Sequence, residues 1–160
     1  AAVAELAGDA NYNLGDFEAA RGCYLRGLKR DPASLALESK LGLAEVRGGK
    51  SDAGVARIRR AIEGDPTNPE FHDRLVGVEV WLNRLSDAAD AAERKLAAVF
   101  PRPEDFLRAA SIRAQMKETQ HAIRILRRGL EAFPDSQALR ASLSKIETSL
   151  GSLSPSFAGP

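Results

Sequence analysis

Cys23, His72 and His121 are the side chains best suited to hold a metal or attack a substrate, and their placement argues against both. The histidines fall on separate segments, and neither has a second ligand at a metal spacing such as i, i+4, which would bring two donors to one ion. Both are expected at the surface or in a groove. A lone cysteine cannot close an internal disulfide, and free cysteine behaves as a small hydrophobe, so Cys23 is expected to pack between helices. Acids do pair at helical spacing, Glu5 with Asp9 and Glu70 with Asp73. On helices so rich in charge these read as solvated faces rather than acid/base couples. No G-x-S-x-G, phosphate loop or cysteine cluster occurs. The residues therefore predict no catalytic group, no metal site and no cofactor.

The elements that carry these residues follow a beat. Pro32, Pro66, Pro101 and Pro134 stand 34, 35 and 33 residues apart, each closing a stretch that reads as two short amphipathic helices. A period in this range marks a helical hairpin copied in tandem, too small to bury its apolar face alone and stable when stacked on neighbours. A shift of 34 pairs Gly42 with Gly8, Gly49 with Gly15, Asp65 with Asp31 and Pro66 with Pro32. The residue that delays Pro101 is assigned to the turn around Asn83, Arg84, Leu85 and Ser86. Gly8 and Ala20 are small where two helices must cross closely. Proline ends each second helix because it lacks an N–H and restricts the residue before it. Ser51, Ser86 and Thr119 suit helix N-caps, where a hydroxyl can accept an orphan N–H.

Helices are predicted over 1–14, 17–30, 35–48, 51–64, 69–82, 86–99, 103–116, 119–132 and 136–149. Leu139, Leu143, Ile146 and Leu150 stripe the last one, with Arg140, Ser144, Lys145 and Glu147 on its polar side. That is the pattern of a capping helix over 136–150, with Ser136 as its N-cap. The Gly, Ser and Pro run at 151–160 reads as a flexible tail or linker.

Gly8, Ala10, Tyr12, Gly15, Asp16, Phe17, Ala20, Tyr24, Gly27, Leu28, Asp31 and Pro32 resemble the tetratricopeptide repeat (TPR) in length and order. The second copy follows fairly, and the later two keep mainly the small residues and the closing proline. The resemblance implies an all-α solenoid of about four helix-turn-helix hairpins, at 1–34, 35–68, 69–102 and 103–135, wound as a right-handed superhelix. It also implies an inner surface lined by each first helix. Carried over position by position, that surface holds Glu5, Asp9, Tyr12 and Asn13, then Leu43, Val46 and Arg47. The third and fourth copies add Glu70, Asp73, Val80 and Trp81, then Glu104, Leu107 and Gln115. Five acids against one arginine predict an acidic groove with apolar anchors. Leu43, Val46, Val80 and Trp81 suit packing between repeats equally well.

The expected partner is a segment of another protein, basic and partly apolar. A substrate-recognition arm of a larger enzyme or of a secretion or assembly protein is the alternative, and homo-oligomerisation through an array end is a third reading. Members of the family that grip acidic chaperone tails carry a lysine and an asparagine on the first helix, then asparagine, lysine and arginine, where this chain has Glu5, Asp9, Lys40, Glu70 and Arg74. Only Arg74 keeps the expected type and three carboxylates would repel the tail, so that role is not implied. The second helices carry Lys29, Arg30, Arg57, Arg59, Arg60, Arg124, Arg127 and Arg128, interleaved with acids. With a net charge of +1 and no aromatic partners along this stripe, nucleic acid is not an expected ligand. No apolar run reaches the length of a membrane span.

Overall fold

The structure, a computed structural model, describes residues 2–151. Apart from Gly151, the tail read at 151–160 lies outside the described residues, as does the side chain of Leu150. Among the described residues all regular structure is α-helical. There are nine helices: α1 (Ala2–Asn13), α2 (Phe17–Arg30), α3 (Leu35–Arg47), α4 (Ser51–Gly64), α5 (Pro69–Trp81), α6 (Leu85–Ala98), α7 (Pro103–Gln115), α8 (Thr119–Ala132) and α9 (Gln137–Gly151).

The repeat is more regular than its prolines suggest. Second helices begin at Phe17, Ser51, Leu85 and Thr119, and first helices end at Asn13, Arg47, Trp81 and Gln115, 34 residues apart each time. The residues that turn the chain between them, Gly15, Gly49, Asn83 and Lys117, have φ of 81°, 89°, 56° and 62° and keep the same spacing. A left-handed residue just past a helix end satisfies its last carbonyls. Glycine does so without strain, asparagine with little, and Lys117 at some cost. The insertion expected near Asn83 is therefore absent. Phe100 instead takes the place of Pro32 and Pro66, and the proline moves one position along the same turn, after α6 has already ended.

The caps also differ from expectation. Ser51 and Thr119 are the first helical residues of α4 and α8, and Ser86 is the second of α6, so none is the N-cap. Lys50 and Glu118 hold the cap positions of α4 and α8 without a side-chain bond. Side-chain caps appear elsewhere. Asp16 accepts from Ala19 N at 2.9 Å, Asn68 from Glu70 N at 3.0 Å, and Ser34 and Ser136 from Leu37 N and Leu139 N at 3.4 Å.

The chain divides into two compact units, one ending at Ala91 and one beginning at Ala92. In the first, Ala20 and Tyr24 of α2 pack against Leu37, Leu41 and Ala44 of α3, with Tyr12, Leu25 and Leu28 at the margin. Each fully buried leucine contributes roughly 1.5–3 kcal/mol, which joins one hairpin to the next. Within hairpins the approach depends on missing side chains. A Cβ on Gly8 would run into the Tyr24 ring, and one on Gly42 would meet Gly54 O at 2.6 Å and Ile58 Cγ1 at 2.9 Å. His72, expected at the surface, is buried, and its Nε2 lies 2.8 Å from Pro66 O. It ties the first turn of α5 to the loop before it. Cys23 is buried as expected, with Arg26 Nη2 2.9 Å from its sulfur.

In the second unit Phe106 packs beside Gly129 and meets Phe133 edge-on with ring centres 6.2 Å apart. Leu139 of α9 is buried against the same glycine, while Arg140, Ser144, Lys145 and Glu147 are exposed. Lys95 and Asp105 form a buried pair at 2.6 Å, and Asp105 also accepts from Arg102 N at 2.8 Å. Burial alone would raise the Asp105 pKa, but the bonds from Lys95 and Arg102 N outweigh it and hold the carboxyl below its ordinary value.

Ion pairs recur with the repeat at a separation of 20 residues. Arg59 bonds Glu79 at 3.0 Å, Glu93 accepts from Arg113 at 2.7 Å, and Arg127 bonds Glu147 at 2.8 Å. The polarity reverses at each step.

Candidate functional site

In the first unit α1, α3 and α5 carry the residues that the repeat register assigns to the inner surface. Two adjoining depressions open on them. One, of about 400 Å³, is lined by Leu43, Arg47, Asp73, Arg74, Gly77, Val78 and Trp81. The other, of about 240 Å³, is lined by Asp9, Tyr12, Asn13, Tyr24, Lys40, Leu43 and Arg74. Leu43 and Arg74 belong to both, so the two form one surface.

Trp81, the last residue of α5, is 53% exposed. The Arg47 guanidinium lies 5.2 Å from its ring centre and 5.3 Å from that of Phe17. An exposed cation–π contact contributes about 0.5–1 kcal/mol, enough to set the indole in one orientation without covering it. Trp81 therefore faces this surface and not the packing between hairpins. Val46 is fully buried and belongs to the core, whereas Val80 is partly exposed. Tyr12 packs edge-on to Phe17 at 5.3 Å, and burial raises its phenol pKa.

The charges are more evenly matched than the inner-surface positions alone imply. Lys40 Nζ lies 2.7 Å from both Glu5 and Asp9. Burial would lower the Lys40 pKa, but the two carboxylates outweigh it and hold the amine protonated above its usual range. Asp9 also accepts from Tyr24 Oη at 2.8 Å. Burial and this carboxylate raise the Tyr24 pKa strongly, so the phenol stays a donor. Arg74 bonds Glu70 at 3.0 Å and Ser39 Oγ at 3.1 Å. Four carboxylates, Glu5, Asp9, Glu70 and Asp73, thus share the surface with Lys40, Arg47 and Arg74. The imbalance of five acids to one arginine holds only for the inner-surface positions that the resemblance implies. Lys40 and Arg74 occupy a further position, 34 residues apart, and that recurrence of a cation was the available signal.

Leu107 and Gln115 lie in the second unit, as does Glu104. Leu107 lines a depression of about 400 Å³ together with Ala110, Ser111, Ala114, Leu126 and Ile146, while Gln115 is exposed at the end of α7. Many cations of the second helices are occupied. Arg57 bonds Glu45 at 2.8 Å and Glu38 at 2.9 Å, and Arg60 reaches Glu38 at 3.2 Å. His121 lies 3.3 Å from Glu93, and no group of three or more His, Cys, Asp or Glu side chains placed to hold a metal occurs among the described residues. No helix among them is long and apolar enough to cross a membrane.

No protein-family profile matches the chain, and no curated protein matches its sequence. Solved structures do match. A protein named MamA superposes with a TM-score of 0.69 at 21% identity over 94% of this chain and 82% of that one. A tetratricopeptide repeat protein from Parabacteroides merdae superposes with a TM-score of 0.70 at 18% identity, over 91% of this chain and 58% of that one. The first TPR of Spaghetti (RPAP3), bound to the HSP90 peptide SRMEEVD, gives a TM-score of 0.55 at 19% identity, over 73% and 93%. Nine helices in a 34-residue register and these superpositions agree: the chain has the tetratricopeptide repeat fold.

Proposed function

We propose that the α1/α3/α5 surface binds a segment of another protein, and that the chain works as a non-enzymatic interaction module. The observation that carries this reading is Trp81, half exposed beside Leu43, Gly77 and Val78 and held in place by Arg47. A large aromatic left open in a lined depression is the usual anchor of a binding surface, because binding takes its apolar area out of water at little entropic cost. The peptide seated on the first TPR of Spaghetti (RPAP3) supports the same use of the fold.

The partner segment places an aliphatic or aromatic residue against Trp81 and a lysine or arginine beside Glu70 and Asp73. Because Lys40 already bridges Glu5 and Asp9, the carboxylates of α1 contribute less to attracting a basic partner than their number suggests.

Panning a display library of short segments against the chain tests this. Segments selected should pair a basic residue with an apolar one, and Trp81→Ala should speed their dissociation by about 30-fold or more, the scale of a binding hot spot. The variant should melt with the wild type because the ring supports little of the core. Selected segments that leave Trp81→Ala at the wild-type rate would place the binding surface elsewhere.

A further inference from the structure

The second unit repeats a feature of the first with its chemistry exchanged. Ser111 of α7 and Ser142, Lys145, Ile146 and Ser149 of α9 line the depression of about 400 Å³ in that unit. Moved back two repeats, these five become Leu43, Arg74, Gly77, Val78 and Trp81, and all five line the depression between α3 and α5. The two depressions are one place in the repeat. Because α5 is followed by another helix and its depression is open all the same, the opening beside α9 belongs to the register and does not depend on a chain end.

The exchange takes the acids away. Glu5 and Asp73 correspond to Leu107 and Ala141, and Asp9 corresponds to Ser111 and Lys145. Glu70 keeps a counterpart in Glu104, which stands a turn before Leu107 and is not among the lining residues. Lys145 is the one charged residue of the lining. It is exposed and pairs with none of the described acids, while Glu147 beside it is held by Arg127 at 2.8 Å. Hydroxyls of Ser111, Ser142 and Thr119 stand around the ammonium, and Ala110, Ala114, Leu126 and Ile146 supply an apolar floor. Ala114 occupies the place of Tyr12, Val46 and Val80, and Ser149 that of Trp81, so this floor has room for an incoming side chain and no aromatic of its own.

We propose that the α7/α9 depression is a second docking site, separate from the α1/α3/α5 surface, for a protein segment that sets an aliphatic or aromatic side chain on this floor and an aspartate or glutamate beside Lys145. A lone ammonium among hydroxyls at the rim of an apolar pocket complements one carboxylate and repels a lysine or arginine. The two places thus select segments of opposite charge, through different residues at the same positions of the repeat.

Two pools of short fluorescein-labelled peptides test this. Both carry leucine, isoleucine or phenylalanine in a glycine–serine background; one pool has aspartate or glutamate beside the apolar residue, the other lysine or arginine. In fluorescence anisotropy with the full 160-residue chain the acidic pool should bind, and Lys145→Glu or Ser111→Glu should raise its Kd about 10-fold or more, since each sets a carboxylate against the peptide's own. Both positions are exposed, so circular dichroism should match the wild type. Trp81→Ala should leave the acidic pool bound as before and weaken the basic one, which reads the first surface separately. An acidic pool that fails to bind, that binds both glutamate variants as tightly as the wild type, or that is released by Trp81→Ala would overturn the proposal. So would self-association of the chain that Lys145→Glu abolishes, since a second copy would then be the occupant.

Discussion

Asp105 is a carboxylate whose worth depends on two donors, Lys95 Nζ and Arg102 N, in a nearly dry setting. Asp105→Ala removes both bonds, including the 2.6 Å partner of the buried Lys95 ammonium, and breaking a buried pair costs about 3–5 kcal/mol, readable in chemical denaturation. The pH dependence has a definite sign. The folded pKa is depressed, so the pair's contribution is present above the carboxyl's ordinary 3.8 and is lost as pH falls through the lowered folded value. Asp105→Asn should accordingly flatten the acid limb of the stability curve. Gly42 tests packing at the same scale. A larger side chain there would strike the Gly54 carbonyl, which cannot swing away, so Gly42→Leu should cost about 1–3 kcal/mol or more by thermal melt. Gly42 and Gly8 were legible in the sequence because smallness recurs with the period. His72 was not, since its bond to Pro66 O depends on a loop geometry that no residue pattern encodes.

At the scale of elements, helix limits were legible within one or two residues because proline, glycine and apolar spacing all mark them. The caps were less so. Ser51 and Thr119 look like N-caps from composition, yet the cap falls one place earlier, at Lys50 and Glu118, each directly after a left-handed residue, Gly49 or Lys117, and α6 likewise starts at Leu85, before Ser86. We propose that α9 closes the second unit as a cap. Its Leu139 is buried against Gly129, and its far side is polar. Deleting 136–151 should uncover Leu126 and the α7/α8 hairpin, and amide exchange in that hairpin should accelerate markedly. Protection equal to that of the intact chain would exclude the capping role.

At the scale of the whole molecule, the sequence carried the repeat but misplaced its phase at one point. Phe100 displaces a proline from the place where Pro32 and Pro66 stand, and a count by prolines then invents an insertion that the turn residues Gly49, Asn83 and Lys117 do not show. The ion pairs at 20-residue separation were also present in the sequence, but their reversal of sign hides them from any search for like residues at like positions. The α1/α3/α5 surface, by contrast, reads as strongly acidic until the recurrent cations Lys40 and Arg74 are placed on it. That pairing sets the expected salt response. Glu70→Lys, at a well-exposed carboxylate, should weaken a basic segment mainly through slower association, and added salt should shrink the difference because exposed charges are screened within about 8–10 Å. Asp9 is a poorer probe, since its reversal would also take from Tyr24 its acceptor and from Lys40 one of two.

The central claim concerns one side chain that can be watched alone. Trp81 is the only tryptophan, so its indole N–H gives a single resonance in a nitrogen–proton correlation spectrum. Titration with a segment selected on the intact chain should move that resonance together with the amides of Leu43, Arg47 and Gly77, and leave the amides of the outer residues Arg59 and Arg60 in place. An indole that stays fixed at saturation, while shifts gather on α2 and α4, would contradict the assignment of the α1/α3/α5 surface as the binding site.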